Sequence, residues 1–357
     1  MDSIAPGDVV VGVDTHKDTH VAFACDGLGR ALDDIEISAT NDGYGELLRW
    51  ALAMGTVYGF GVEGTGSYGV GLARFLRRHG QRVIEVSRPP RAGARRLSGK
   101  SDVIDAEHAA RAVLAGTAAA VPKLADGQVE SIRVLKIVRD TAVKAKKSAM
   151  IALKATLVTA DHDVRARLES LTDHRLIVAC AELEAPTDLT DPHAAMLHTL
   201  HALATRWLDL HEEIKVHTRH LKSLTRAAAP AMFERFGVGF DTAAEMLLAA
   251  GDNTDRVRSE AAFAKMCGVC PIPAGSGRTN GRHRLNRGGN RQANAALYRT
   301  VIVRMHWHPP TISYVERRMA EGLSKKEIIR CLKRYVAREL YALLPPPARS
   351  LELARAA

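Results

Sequence analysis

Apolar and polar positions change period several times along the first hundred residues. Residues 8–14 (DVVVGVD) are a β-branched run that ends on Asp14, and residues 19–25 (THVAFAC) make a second run after the turn THKD. Residues 33–38 (DDIEIS) alternate, as a third strand would. Residues 45–54 have helical spacing, and 57–63 (VYGFGVE) reads as a strand ending on Glu63. A helix over 68–79 and a strand over 82–86 follow. This order predicts an α/β layer with a mixed sheet. Ser101 is placed to cap a helix starting at Asp102, which Gly116 would stop.

The rest of the chain reads as mostly helical. Residues 128–158 form one long helical segment carrying Lys136, Arg139, Lys144, Lys146, Lys147 and Lys154. Such a helix is either a solvated face or a track for a polyanion backbone, and the pattern fits both. Residues 160–195 show no useful pattern. Met196, Leu200, Leu203, Trp207, Leu210, Ile214, His217, Leu221 and Leu224 alternate spacings of four and three. That seam predicts a coiled coil between subunits, with His217 setting register; a helix packed within its own domain is the alternative. Gly237 and Gly239 precede a helix bearing Ala243, Met246 and Leu247, an arrangement like a helix-hairpin-helix element that offers backbone amides to phosphates; a tight turn is the plainer reading. A helix over 292–304 and a second basic helix after HWHPP complete the chain. The expected divisions are 1–125, 126–228 (seam about 196–224), 229–345 and a tail, 346–357.

Charge sharpens this picture. The 357 residues carry a formal net charge of +10, with 46% apolar residues. Such an excess points to a polyanion. No apolar run reaches the ~20 residues that span a bilayer. The N-terminus shows no basic stretch before an apolar one, so no signal peptide is expected. Five scattered cysteines fit a reducing cytoplasm. Cys267 and Cys270 with His283 begin like a zinc finger, but residues 287–289 are Arg-Gly-Gly where a second histidine is needed; two buried thiols are expected instead.

Two stretches carry candidate chemistry. Asp14 and Glu63 end strands expected in mid-sheet, where functional groups of open α/β sheets collect. Asp102 and Asp105 share one face of a first helical turn, a placement that also suits the helix dipole. Four carboxylates held together repel, and a divalent cation with oxygen ligands, Mg²⁺ or Mn²⁺, relieves the repulsion. His16, Asp18 and His20 are read as turn and strand-surface residues. The second stretch is 271–299, PIPAGSGRTNGRHRLNRGGNRQANAALYR. Ser276 sits between glycines there, followed by Arg278, Arg282, Arg284, Arg287, Arg291 and Arg299 with no acid among them. Planar guanidinium groups suit phosphate.

VGVDTHKDTH, VEGTGSYG and KSDVIDAEHAAR, holding Asp14, Glu63, Asp102 and Asp105, resemble the DEDD set of RuvC-like, RNase-H-fold transposases of insertion sequences. PIPAGSGRT and HRLNRGGNRQAN resemble the serine-bearing C-terminal region of the same family, known as bridge-RNA-guided recombinases. The resemblance covers about 8–342; Phe240 stands where relatives often have proline. It implies an RNase-H/RuvC-like domain binding Mg²⁺ through the four acids, with Ser276 as nucleophile toward DNA. It further implies a structured guide RNA, a homo-oligomer whose subunits share sites, and residence in the bacterial cytoplasm at the nucleoid. A metal-only structure-specific endonuclease and a non-catalytic DNA-binding protein are the alternative readings.

Overall fold

A computed structural model describes residues 3–87, 101–184, 186–275, 283–284, 286 and 288–346. Contacts group the chain into two units. The first comprises Met1–Gly127 and Ala250–Arg258, with Pro346–Ala357; the second comprises Gln128–Ala249 and Ser259–Pro345. This differs from the expected divisions: the two later domains share one unit, and a short segment after residue 249 joins the first.

The first unit is built on a five-stranded sheet of β1 (Val9–Thr15), β2 (Thr19–Asp26), β3 (Ala31–Ser38), β4 (Val57–Glu63) and β5 (Val83–Val86), in spatial order β3-β2-β1-β4-β5. The first three strands pair antiparallel; β1–β4 and β4–β5 pair parallel. The expected mixed sheet is present, with β1 at its centre. Alternation divides its side chains between two layers. Val9, Val11, Val13, Phe60 and Val62 face α1 (Asn41–Ala53) and α2 (Val70–Arg78). Val10, Phe23, Cys25 and Ile84 face α3 (Asp102–Leu114) through Ala106, Ala109, Ala110 and Val113. Ser101 is the N-cap of α3 but its side chain makes no capping bond, and Gly116 follows the helix at φ 66°.

In the second unit, α4 (Gln128–Val158) and α7 (Pro192–Ala228) run antiparallel. The register follows from Arg139 Nε donating to Thr218 Oγ1 at 3.3 Å and from Lys146 Nζ lying 3.3 Å from His211 Nδ1. The unpatterned stretch holds α5 (His162–Leu168) and α6 (Asp173–Ala181), which close the end of the pair over Leu153, Leu157 and Leu200. Met196, Leu203 and Trp207 pack on this same cluster. The first half of the predicted seam is therefore filled from within the chain and not by a partner, because two short neighbouring helices need apolar cover.

After a 3₁₀ turn (Pro230–Glu234) comes α8 (Phe240–Ala250), with Ala243, Met246 and Leu247 fully buried. Then follow α9 (Glu260–Met266), a small hairpin of β6 (Ile272–Pro273) and β7 (His283–Arg284), α10 (Arg291–Trp307), α11 (Pro309–Ala320) and α12 (Lys325–Tyr341). Helix α11 was not expected. Its prolines, Pro309 and Pro310, occupy the first turn, where no backbone donor is needed, so HWHPP starts a helix as well as ending one. No helix among the described residues is long and apolar enough to cross a membrane.

Candidate active site

The acidic site is built by alternation and close packing. On β1, Val10, Gly12 and Asp14 point to the α3 side of the sheet; on β4, Gly61 and Glu63 do the same. Glycine at 12 and 61 lets α3 lie almost on the backbone. A Cβ at Gly12 would overlap Ala106 O and Ala110 N, and one at Gly61 would sit 2.6 Å from Val113 Cγ2. The helix thus crosses β1 and β4 on small residues, and its first turn, with Asp102 and Asp105, comes to the carboxyl ends of those strands.

Strands β1 and β4 are in register at Val13 and Val62, so Asp14 and Glu63 occupy the next positions on adjacent parallel strands. Thr15 Oγ1 ties these ends together by donating to Glu63 O at 3.0 Å. Asp14 is 8% exposed and Glu63 5% exposed, unusually low for carboxylates. Asp14, His16 and Asp102 each offer a ligand atom, all within 4.8 Å of one another. His16 Nε2 lies 3.1 Å from Asp14 Oδ2 and 3.4 Å from Asp102 Oδ2. Asp105 is half-buried in the same first turn of α3.

Two histidines depart from the sequence reading. His16 is drawn between two of the acids and is not merely a turn residue. The signal was available, since Asp14 and His16 are two apart on an extended chain and share a face. His20 is fully buried and not on the strand surface. Its ring stacks on Tyr44 with centroids 5.7 Å apart, and its Nδ1 donates to Thr19 O at 2.9 Å. Burial pulls its pKa below the usual imidazole value, against the opposing effect of that hydrogen bond.

The donor set fits a hard divalent cation: two carboxylates within ligand reach of one another, and a third, buried, on the neighbouring strand. Asp14, Glu63 and Asp102 would hold the ion, with Asp105 beside them. His16 is placed to be a further ligand or to hydrogen-bond the two aspartates.

The candidate nucleic-acid residues are all in the second unit, and the structure describes part of them. Ser276, Arg278, Arg282 and Arg287 lie outside the described residues. Arg284 is exposed on β7 and Arg291 is exposed at the start of α10. Arg299 is instead engaged by Asp241, with Nη2 and Oδ2 2.6 Å apart. Gly237 takes φ 75°, a conformation that favours glycine, immediately before α8; the space around Gly239 is open. Cys267 is buried, which pushes its thiol up to about 12. Cys270 is half-buried and its sulfur accepts from Asn286 Nδ2 at 3.2 Å.

Comparison with known proteins gives the site its context. Residues 11–160, which hold all four acids, match the model of the DEDD transposases of IS110, described as "Transposase". Residues 232–316, which hold Ser276 and the arginine-rich stretch, match the model described as "Transposase IS116/IS110/IS902 family". The chain belongs to this transposase family. A relative in Streptomyces coelicolor, the insertion element IS110 uncharacterized 43.6 kDa protein, is 28% identical over 145 residues, 40% of this chain and 36% of that protein. Another in Mycobacterium paratuberculosis, the insertion element IS900 uncharacterized 42 kDa protein, is 29% identical over 108 residues, 30% of this chain and 27% of that protein. The matches thus span about a third of the length of these curated relatives. Helix α4 falls within the first of these two matches, and α7 lies between them.

Proposed function

We propose that this protein is the transposase of an insertion sequence and cuts and rejoins DNA through a phosphoserine link. In this reading the first unit is RuvC-like. Asp14, Glu63, Asp102 and Asp105 bind Mg²⁺ or Mn²⁺, which when bound supplies charge neutralisation at the reacting phosphate. Ser276 Oγ attacks a DNA phosphodiester. The Oγ–P bond forms as the P–O3′ bond breaks; the serine proton passes to solvent, and the departing 3′ oxygen takes up a proton from solvent to leave a free 3′ hydroxyl. A 3′ hydroxyl of another strand then attacks the phosphoserine and releases the serine. One phosphoester replaces another at each step, so no ATP is consumed. Arg278, Arg282, Arg284, Arg287 and Arg291, with the backbone at Gly237 and Gly239, hold the DNA phosphates. A structured RNA selects the DNA partners, and copies of the chain assemble so that acids and serine meet. The observation that carries this reading is the meeting of Asp14, His16 and Asp102 at the end of two buried strands, in a chain of this family.

The test is a covalent adduct. Full-length protein incubated with element-end DNA, the cognate RNA and Mg²⁺ is expected to give a DNA–protein species that survives denaturation. Ser276→Ala should abolish it. An adduct that persists in Ser276→Ala removes the serine from the chemistry. DNA cleavage by Ser276→Ala with no adduct at all would favour the metal-only nuclease.

A further inference from the structure

Lys333, on α12, is 6% exposed, and its Nζ donates to Asn294 Oδ1 at 2.8 Å. Asn294 cannot turn away, because its Nδ2 donates to Cys267 O at 3.2 Å and Gly268 O at 2.8 Å. Among the described residues no carboxylate pairs with Lys333. Three arginines near it on α11 and α12 do have acids: Arg334 with Glu260, Arg330 with Glu327, Arg318 with Glu321. Burial pulls the Lys333 pKa down, and the charge of Arg330 pulls it further in the same direction. An ammonium held in the interior by a neutral amide alone is costly to keep, so a missing anion is its natural complement.

Space for that anion is present. Lys333 lines two cavities, of 510 Å³ and 410 Å³. The smaller is walled by Gly288, Gly289 and Asn290, with Arg291 among its lining residues. Arg291 is exposed, and no acid among the described residues pairs with it. The wall is backbone because Gly289, at φ 93°, passes Gly268 so closely that a Cβ would lie 2.6 Å from its nitrogen. The larger cavity is lined by His283 and Arg284.

We propose that Lys333 is the buried counter-charge for one backbone phosphate of a bound nucleic-acid strand, seated in the 410 Å³ cavity against Gly288–Asn290 with Arg291 as second ligand. Lysine has three N–H donors, of which Asn294 takes one and two remain for phosphate oxygens. Arg291 adds a planar fork. The inference rests on the strand-transfer reading only in taking the ligand to be nucleic acid.

Lys333→Met keeps the apolar stem and deletes the charge. Binding of full-length protein to a short DNA duplex across a salt series, with thermal melting alongside, decides the matter. Lys333→Met is expected to bind about ten-fold more weakly at low salt. The slope of log affinity against log salt should shrink by about 0.9, the loss of one phosphate contact. Its melting temperature should hold or rise, since a lone buried charge is gone. Arg291→Gln, on the exposed rim, should show the same loss of slope. Unchanged affinity and slope in Lys333→Met, or a lowered melting temperature with intact binding, would make Lys333 structural and overturn the proposal. If Lys333→Met does not fold, an unchanged slope in Arg291→Gln overturns it alone. Loss of slope in a protein that forms no Ser276 adduct leaves this site standing and removes the strand-transfer reading instead.

Discussion

Asp14 contributes to the candidate metal site by standing where carboxylates repel one another. In metal-free buffer, Asp14→Asn should be as stable as the parent or more so, because one buried charge is removed. In saturating Mn²⁺ or Mg²⁺ the parent should gain about 2–3 kcal/mol at a hundred-fold excess over Kd, and the variant little. Thermal melts with and without metal check this; equal metal stabilisation of both proteins would exclude Asp14 as a ligand. Gly12 acts at the same scale but through space. Gly12→Ala drives a methyl into Ala106 O and Ala110 N, both backbone atoms that cannot turn aside. It should cost about 1–3 kcal/mol by overpacking, measured by urea unfolding, and reduce metal binding because α3 carries Asp102 outward.

The elements are held by less visible contacts. Lys136, 7% exposed on α4, reaches Asp140 at 2.9 Å and, on α8, Asp241 at 2.9 Å and Glu245 at 3.2 Å. Burial opposes its charge, but hydrogen bonds to Asp241 and Asp140 outweigh it and its pKa is raised. Glu245 goes the other way: burial raises its carboxyl pKa, and Lys136 only partly offsets this. Asp241 and Asp140 keep arginine partners, but Lys136→Met leaves the buried Glu245 of α8 without its cation, and a loss of about 3–5 kcal/mol is expected in a denaturant melt. Glu245→Gln keeps an acceptor for Lys136 and sheds a costly charge, so it should cost within about 1 kcal/mol. A larger loss in Glu245→Gln than in Lys136→Met would contradict this account. The clamp explains why one of the arginines expected to grip phosphate, Arg299, is tied to Asp241 instead. The basic positions were legible in the chain, but Asp241, the acid that Lys136 and Arg299 share, lies more than fifty residues from either and was not.

For the molecule as a whole, the chain's last third returns to its first. Arg256 Nε donates to Val121 O at 2.8 Å, and its Nη2 to Glu85 Oε2 at 3.2 Å. Asn253 both donates to Pro122 O at 3.0 Å and accepts from Leu124 N at 3.1 Å. The sheet-bearing unit is thus completed by residues more than a hundred positions downstream. Arg256→Ala should cost about 3 kcal/mol and raise hydrogen exchange at residues 121–124; unchanged exchange there would mean the segment is not needed. At the same scale, if the reacting groups meet across copies, mixing Asp14→Asn with Ser276→Ala protein should restore adduct that neither forms alone. Failure to restore it would confine the reaction to a single copy.

The chain by itself determined what short-range periodicity can determine: the five strands of the sheet, the helix opening on Asp102, the long helices, and the acids at the strand ends. These are consequences of which side chains suit an alternating or a 3.6-residue repeat. Tertiary structure alone decided how close α3 comes to Gly12 and Gly61, where His16 points, which half of a heptad seam the chain fills for itself, and which buried lysine has no acid. Each depends on distance between residues far apart in sequence, which no local pattern encodes.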